Sequence, residues 1–278
     1  MKTLKCLIFT FLISVTLSAQ STAFTVDIKG EGAPIFLFPG FTCPGEVWDD
    51  VVNELSKTNE CHVFTFAGFG DVPAIEKPWL PKIKDEIVAY ISENKLENIT
   101  LIGHSLGGTL SLWLASENKE SFKQIIAVDA LPSSGALMIP NYDSNMIAYD
   151  TPYNKQMISM NDEDFELMAS QMASGMVLNE EKRALIKDWI IKTDRETYVY
   201  GFTDLLKLDL REDIAKIKIP VLLLAATKPY GEETVKMTYK DQYKKLENYQ
   251  IKYAKDSAHF IMYDQPEWLL ETIISGLN

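Results

Sequence analysis

The sequence predicts an α/β fold with a mostly parallel, doubly wound sheet and a helical insertion, and two observations support this prediction. Short apolar runs typical of buried strands alternate with helical segments in two separate stretches of the chain. Between these stretches no convincing buried strand occurs, and most of the methionines fall there, within residues 138–176. Because strands that alternate with helices pair in parallel, we assign residues 21–132 and 217–278 to one core and residues 133–216 to a helical cap.

The strands and helices of the core follow from their local patterns. Residues 24–29 (FTVDIK) alternate between apolar and polar side chains and end in Gly30-Glu31-Gly32, which is typical of a hairpin. Residues 34–38 (PIFLF) are continuously apolar, as in a sheet covered on both faces. The remaining predicted strands are 62–66, 98–101, 124–128, 220–225 and 249–254. The predicted helices are 46–55, a segment containing 83–91, 109–116, 233–246 and a last helix from Pro266.

The first twenty residues have a different character from the rest of the chain. Lys2 and Lys5 precede an apolar run at 6–17 (CLIFTFLISVTL), and the small residues of 18–20 (SAQ) follow it. This order is typical of a signal peptide, and the run is too short to span a bilayer in the mature protein. We therefore expect residues 1–20 to be removed and the protein to be exported, to the periplasm or the medium. An uncleaved amino-terminal anchor is the alternative.

The net charge bears on the kinds of partner that the protein can have. The formal charge is −12, and removal of Lys2 and Lys5 would make it −14. A strongly acidic protein is a poor match for nucleic acid or for an anionic membrane. No clustering of Cys and His suggests a metal site, and we expect no cofactor.

The motif with the clearest chemical meaning is Gly-x-Ser-x-Gly at residues 103–107, with Ser105 at its centre. A short predicted strand precedes it and an apolar helix follows it, which is the context that a nucleophile elbow requires. The serine must occupy a sharp, strained turn, and Gly103 and Gly107 supply the missing side chains where the backbone segments crowd together. The sequence therefore predicts that Ser105 is a nucleophile.

With this strand–turn–helix the chain resembles the α/β-hydrolase superfamily over nearly all of its length after the first twenty or so residues. Residues 41–48 (FTCPGEVW) and 128–132 (VDALP) are similar to a group of exported bacterial members close to small ester and lactone hydrolases. The resemblance implies an α/β-hydrolase fold with the cap inserted between strands 6 and 7. Ser105 argues against the dehalogenase and epoxide-hydrolase branches, whose nucleophile is an aspartate.

A serine nucleophile needs a base, and the chain has three histidines. His104 adjoins Ser105 and should project away from its hydroxyl, whereas His62 lies at the amino end of a predicted strand. His259 follows the last strand, where the superfamily places its catalytic histidine. We therefore predict that His259 is the base.

The acid that orients His259 is less clear from the sequence. The resemblance implies an acid in the loop after the strand that follows the cap, but that loop (ATKPYG, 226–231) has none before Glu232 and Glu233. Some family members carry the acid one strand earlier, where this chain has Asp129. We predict Asp129, with Glu232 or Glu233 as the alternative.

Two backbone N–H groups should form the oxyanion hole. One is that of Leu106, directly after the nucleophile, and the other is that of Phe41 in the loop Pro39-Gly40-Phe41.

Together these residues predict an exported serine hydrolase that cleaves a small to medium carboxylic ester through an acyl-enzyme. A small-molecule ester is the expected partner. An amidase or peptidase, or an acyltransferase, would use the same residues, and a non-catalytic binding protein on the same fold remains a further alternative.

Overall fold

The computed structural model describes residues 23–117 and 120–277. At the centre of this part of the chain lies a seven-stranded sheet. The strands are β1 (Phe24–Lys29), β2 (Ala33–Phe38), β3 (Asn59–Phe66), β4 (Ile99–His104), β5 (Phe122–Val128), β6 (Val221–Ala226) and β7 (Tyr249–Ala254). Their order across the sheet is β1-β3-β2-β4-β5-β6-β7. Every neighbouring pair is parallel except β1 with β3, which confirms the predicted α/β fold.

The predicted hairpin at the start of the sheet is wrong. Strand β1 pairs with β3, with Phe24 opposite Phe66 and Lys29 opposite Cys61, so that β3 lies between β1 and β2. The apolar β2 needs parallel neighbours on both sides and takes β3 and β4, which leaves the alternating β1 at the edge. The connecting turn passes close to β3, because a Cβ at Gly30 would lie 2.4 Å from Asn59 O.

The described residues form eleven α-helices, of which nine lie between strands and two follow β7. They are α1 (Asp49–Leu55), α2 (Trp79–Glu93), α3 (Leu106–Glu117), α4 (Ser134–Met138), α5 (Pro152–Ile158), α6 (Asp162–Met176), α7 (Glu180–Lys192), α8 (Arg195–Lys207), α9 (Glu232–Gln242), α10 (Ile261–Asp264) and α11 (Pro266–Leu277). Short 3-10 turns precede α1, α5 and β6.

Both faces of the sheet are buried. Phe36 and Phe38 of β2 pack with α2 and α3 on one face, in the first of two apolar clusters. The alternate residues Ile35 and Leu37 belong to the second cluster, together with α1, α11 and residues of the insertion. A strand buried on both sides reads as an unbroken apolar run, which explains the PIFLF sequence.

Helices α4–α8 form the insertion, and they lie between β5 and β6 in chain order. The resemblance implies a cap between strands 6 and 7 of the family's strand numbering. The described residues form seven strands, and the strands on the two sides of the insertion are here β5 and β6. On α6 the side chain of Phe165 is buried, and Met168, Met172 and Met176 are partly buried in the cluster that includes Ile35 and Leu37.

The predicted signal peptide, residues 1–20, lies outside the described residues. Within the residues that are described, no helix combines the length and the apolar character needed to cross a membrane.

A buried carboxylate joins the insertion to the core. Asp204 of α8 accepts hydrogen bonds from the backbone N–H groups of Trp79, at 2.7 Å, and Leu80, at 3.0 Å. These residues begin α2, and Pro78, which precedes the helix, provides no side-chain cap. Tyr149 donates its hydroxyl to the second carboxylate oxygen. Asp204 therefore satisfies free N–H groups of a helix that lies 124 residues away in the sequence.

Replacement of Asp204 by Ala should lower the free energy of unfolding by about 2–4 kcal/mol, since two buried N–H groups would lose a charged acceptor. Chemical denaturation of both proteins measures this difference. Asp188→Ala is the control, because Asp188 forms only a half-exposed pair with Lys192 and should change stability by no more than about 0.5 kcal/mol. Equal stability of the two variants would contradict the capping role of Asp204.

Candidate active site

The strand order creates a switch point between β2 and β4. From β2 the chain passes to β3 on one side, and it later returns to β4 on the other side. In open parallel sheets a ligand binds in the crevice at the carboxyl ends of the strands at such a point. The loop beginning Pro39-Gly40-Phe41 follows β2, and Ser105 follows β4. Both therefore lie at this crevice.

Ser105 occupies a strained turn, at which the backbones of β2, β4 and α3 lie in close contact. Its φ is +53°, and its N–H donates to Val128 O at 2.9 Å. A Cβ at Gly103 would lie 2.2 Å from Gly107 O, and a Cβ at Gly107 would lie 2.4 Å from Phe38 O. Any side chain at either glycine would push α3 away from β4 or β2. The two glycines of the motif thus hold the turn that presents Ser105.

His259 and Asp129 form a short hydrogen bond. His259 Nδ1 lies 2.6 Å from Asp129 Oδ2, and the two side chains are 27% and 19% exposed. Since an ionised carboxylate can only accept, the imidazole carries a proton on Nδ1, which leaves Nε2 as an acceptor when the ring is neutral. Among the described residues no hydrogen bond joins Ser105 Oγ to this imidazole.

Asp129 is itself fixed from three directions. Its backbone adopts a φ of +45°, and its N–H donates to Leu224 O at 2.7 Å. Its Oδ1 accepts from Ala226 N at 2.9 Å and from the Tyr239 hydroxyl at 3.3 Å. Burial, reinforced by the Asp129 carboxylate, raises the pKa of Tyr239 well above its usual value. The phenol therefore stays protonated and donates to the carboxylate.

The alternative acids lie elsewhere. Glu232 and Glu233, at the start of α9, both pair with Lys236, at 2.8 and 2.9 Å. The structure thus brings Asp129, and neither glutamate, to His259.

The loop that carries His259 is tied to the insertion through Asp264. The Asp264 Oδ2 accepts from Ala258 N, directly before His259, at 2.8 Å. Its Oδ1 accepts from Leu178 N and Asn179 N, both at 2.9 Å, in the link between α6 and α7. One carboxylate thereby joins the histidine loop to the insertion. Asp264 carries no signal in the sequence, because an aspartate that binds only backbone N–H groups belongs to no motif.

A second unforeseen partner of His259 is His104. Its Nε2 lies 3.0 Å from the backbone oxygen of His259, and the two rings lie 4.6 Å apart. The sequence predicted only that His104 would point away from the serine hydroxyl. No sequence signal marks its contact, since the acceptor is a backbone carbonyl 155 residues away.

The predicted oxyanion donors belong to two segments that adjoin Ser105. Leu106 begins α3, and its N–H is one of the helix-terminal donors that have no acceptor inside the helix. Phe41 lies in a turn closed by a hydrogen bond from Cys43 N to Gly40 O at 3.2 Å. A Cβ at Gly40 would lie 3.5 Å from the Cβ of Ser105, so this turn directly adjoins the elbow.

Aromatic side chains surround Phe41. Its ring lies 5.3 Å from Phe69 and 6.1 Å from Trp79 of the core, and 5.7 Å from Tyr198 and 5.6 Å from Phe202 of α8. These contacts place the insertion beside the crevice and make its surroundings apolar.

The third histidine has a structural role. His62 is buried within β3, and its two ring nitrogens lie 2.8 Å from Tyr90 Oη and from Glu60 Oε1. No group of three or more potential metal-ligating side chains occurs among the residues that the structure describes.

A mostly parallel sheet with a strained serine at a strand–helix elbow, and a His–Asp pair at the same edge, defines the alpha/beta hydrolases. The model of the alpha/beta hydrolase family matches residues 35–272, and the chain belongs to this family. The predicted membership of the α/β-hydrolase superfamily is thereby confirmed.

Individual relatives are distant. An N-formylmaleamate deformylase of Pseudomonas putida is 23% identical over 239 residues, which cover 84% of this chain and 85% of that protein. A pimeloyl-acyl-carrier-protein methyl ester esterase of Aliivibrio salmonicida is 25% identical over 73% of this chain and 76% of its own length. The enol-lactonase of Burkholderia xenovorans superposes with a TM-score of 0.77 at 17% identity, covering 91% of this chain and 96% of that one. This last likeness shows the shared fold.

If Asp129 orients His259, replacement by Asn should lower kcat on the order of 10⁴-fold with little change in KM, because the amide favours the wrong imidazole tautomer. Steady-state kinetics on a chromogenic ester measures both constants. Glu232→Gln is the matched control and should retain the parent kcat, since Glu232 pairs with Lys236. Near-parent turnover by Asp129→Asn, or a large loss in Glu232→Gln, would remove Asp129 from this role.

Proposed function

We propose that this alpha/beta hydrolase is an exported serine hydrolase that cleaves small to medium carboxylic esters through an acyl-enzyme. The observation that carries the proposal is the 2.6 Å contact between His259 Nδ1 and Asp129 Oδ2 at the sheet edge that also bears Ser105. A nucleophile, a base and a group that orients the base are the parts required for serine-based acyl transfer.

In the acylation step Ser105 Oγ attacks the carbonyl carbon of the ester, and its proton passes to His259 Nε2. The carbonyl oxygen becomes an oxyanion, which the N–H groups of Leu106 and Phe41 stabilise. Each such donor is typically worth about 3 kcal/mol in the transition state. The C–O bond then breaks, and His259 returns the proton to the departing alkoxide, so that an alcohol leaves and the acyl group stays on Ser105.

In the deacylation step water attacks the acyl carbon while His259 Nε2 takes one of its protons. A second tetrahedral oxyanion forms between the same two N–H groups. Its collapse breaks the bond to Ser105 Oγ, which receives the proton from His259, and the carboxylic acid departs. Asp129 remains ionised throughout and holds the imidazolium that forms in each half of the reaction.

The lack of a hydrogen bond between Ser105 Oγ and His259 among the described residues does not oppose this sequence of steps. Catalytic hydrogen bonds are often long in unliganded proteins and tighten when substrate is bound. No cofactor takes part in any step.

Two observations favour a neutral ester of modest size. Two of the three relatives described above, a methyl ester esterase and an enol-lactonase, are named for activity on ester bonds, whereas the third is a deformylase. Phe41, in the loop next to the elbow, contacts the rings of Tyr198 and Phe202 of the insertion, so aromatic side chains lie beside the crevice and favour an apolar acyl group. We propose that residues 133–216, which contain α4–α8, act as a cap over the site. Such a cap would exclude bulk lipid from Ser105.

Export is proposed from the sequence of residues 1–20 alone. Mass measurement of the protein recovered from the periplasm or the medium checks it, and the expected mature chain begins near residue 20 or 21. Protein that stays in the membrane fraction at full length would favour the anchor instead.

The first experiment is hydrolysis of p-nitrophenyl esters from acetate to laurate by the mature protein. Turnover should be highest with the shorter chains, and Ser105→Ala should lower it by about 10⁴-fold or more. Ser116→Ala is the matched control, since it removes a buried serine hydroxyl from α3, the helix that follows Ser105, where Ser116 Oγ donates to Trp113 O. A fluorophosphonate probe should label the parent and the control but not Ser105→Ala.

If the parent protein is labelled but hydrolyses no ester, amide substrates or acyl transfer replace ester hydrolysis as the proposed activity. If it is neither labelled nor active, the proposal fails and the fold serves a non-catalytic binding role. Turnover that persists in Ser105→Ala would exclude Ser105 as the nucleophile.

A further inference from the structure

The peptide group that follows His259 is held at both ends. Its carbonyl, on His259, lies 3.0 Å from His104 Nε2, and its N–H, on Phe260, donates to Met176 O at 3.1 Å. His104 is the residue directly before Ser105. One side chain therefore connects the backbone of the proposed base to the backbone of the proposed nucleophile.

The geometry assigns the protonation state of His104. The carbonyl of His259 can only accept, so His104 Nε2 carries the proton and donates it. In the neutral ring Nδ1 then has a lone pair, and within the described part of the chain this buried atom has no hydrogen-bond partner. A second proton on Nδ1 would find no acceptor there. Burial, aided by the neighbouring His259, lowers the pKa of His104 well below its usual value, so the ring stays neutral.

The neighbouring loop is shaped to admit this ring. His104 is fully buried, and a Cβ at Gly40 would lie 2.6 Å from its Nδ1. The loop Pro39-Gly40-Phe41 therefore packs against the ring of His104, and this ring in turn contacts the loop of His259 next to Ser105.

We propose that His104 is a positioning residue for the reaction. Its Nε2–H fixes the His259–Phe260 peptide and so keeps the His259 imidazole in the position from which it can reach Ser105 Oγ. This inference rests on the proposed serine-hydrolase function and adds a residue to it. In this proposal His104 neither contacts substrate nor exchanges a proton. It determines the position of His259, the proposed base. A base displaced by about 1 Å can lower the rate on the order of 10²-fold.

The comparison with His62 separates this role from that of an ordinary core histidine. Both nitrogens of His62 have side-chain partners, Tyr90 and Glu60, that belong to no part of the proposed site. Within the described residues, the hydrogen-bond partner of His104 is instead the backbone carbonyl of His259, the proposed base.

Three variants test the proposal in kinetic assays on the best p-nitrophenyl ester. His104→Phe keeps a ring but has no donor, and its kcat should fall about 10- to 100-fold while KM stays within about twofold. His104→Gln can place an amide N–H near the position of Nε2, and its kcat should stay within about fivefold of the parent value. His62→Gln is the control for the loss of a buried histidine and should retain the parent kcat.

A spectroscopic measurement covers the case in which His104→Phe folds poorly. The proton between His259 Nδ1 and Asp129 Oδ2 should give a strongly downfield resonance in the parent protein. It should persist in His104→Gln and weaken or shift in His104→Asn, whose shorter amide cannot reach the His259 carbonyl.

The outcomes distinguish this inference from the proposed function. A parent protein without turnover or fluorophosphonate labelling contradicts the proposed function itself. An active parent with an equally active His104→Phe overturns the positioning role alone. A folded His104→Gln as impaired as His104→Phe, or an unchanged downfield resonance in His104→Asn, overturns it as well.

Discussion

The approach of three backbone segments at the elbow is the constraint on which the site depends. Strand β4, the start of α3 and the end of β2 meet where Gly103, Gly107 and Phe38 O leave no room for a Cβ. This contact forces Ser105 to a φ of +53° and holds its side chain above the sheet edge. Strain of this kind, of order 1–3 kcal/mol, persists only where the surrounding packing over-determines the backbone. The two-sided core around β2 and β4 supplies that packing.

Other parts of the site are placed relative to the elbow through backbone groups. Ser105 N is bonded to Val128 O, and the next residue, Asp129, is bonded through its N–H to Leu224 O. The parallel ladder therefore links the position of Ser105 to that of Asp129 across β5 and β6. His259, the proposed base, is held separately, through His104 and through Asp264. Hydrogen bonds to backbone groups, together with the contact between His259 and Asp129, thus fix the three proposed catalytic residues.

Much of this arrangement follows from the sequence, and the missing parts share a physical cause. The elbow was predictable because the steric need for Gly103 and Gly107 is local, and the apolar strands because burial on both faces leaves a continuous pattern. The pairing of β1 with β3 could not be predicted, since Gly30 and Gly32 are equally compatible with a hairpin between β1 and β2. The sequence predicted Asp129 but left Glu232 or Glu233 as the alternative, because the partners of Asp129, Ala226 N and the Tyr239 hydroxyl, are brought to it only by the fold. His104 and Asp264 act on backbone atoms far away in the chain and leave no pattern.

The contacts of Asp264 with the link between α6 and α7 have a consequence for how the family can diversify. The groups contributed by the insertion, the N–H of Leu178 and Asn179 and the carbonyl of Met176, all belong to the backbone. Side chains other than proline at 178 and 179 can occupy these three positions without loss of the hydrogen bonds. At these positions the sequence of the insertion can therefore change while the histidine loop keeps its anchor. Only the aspartate on the core side must be retained for this support to survive such drift.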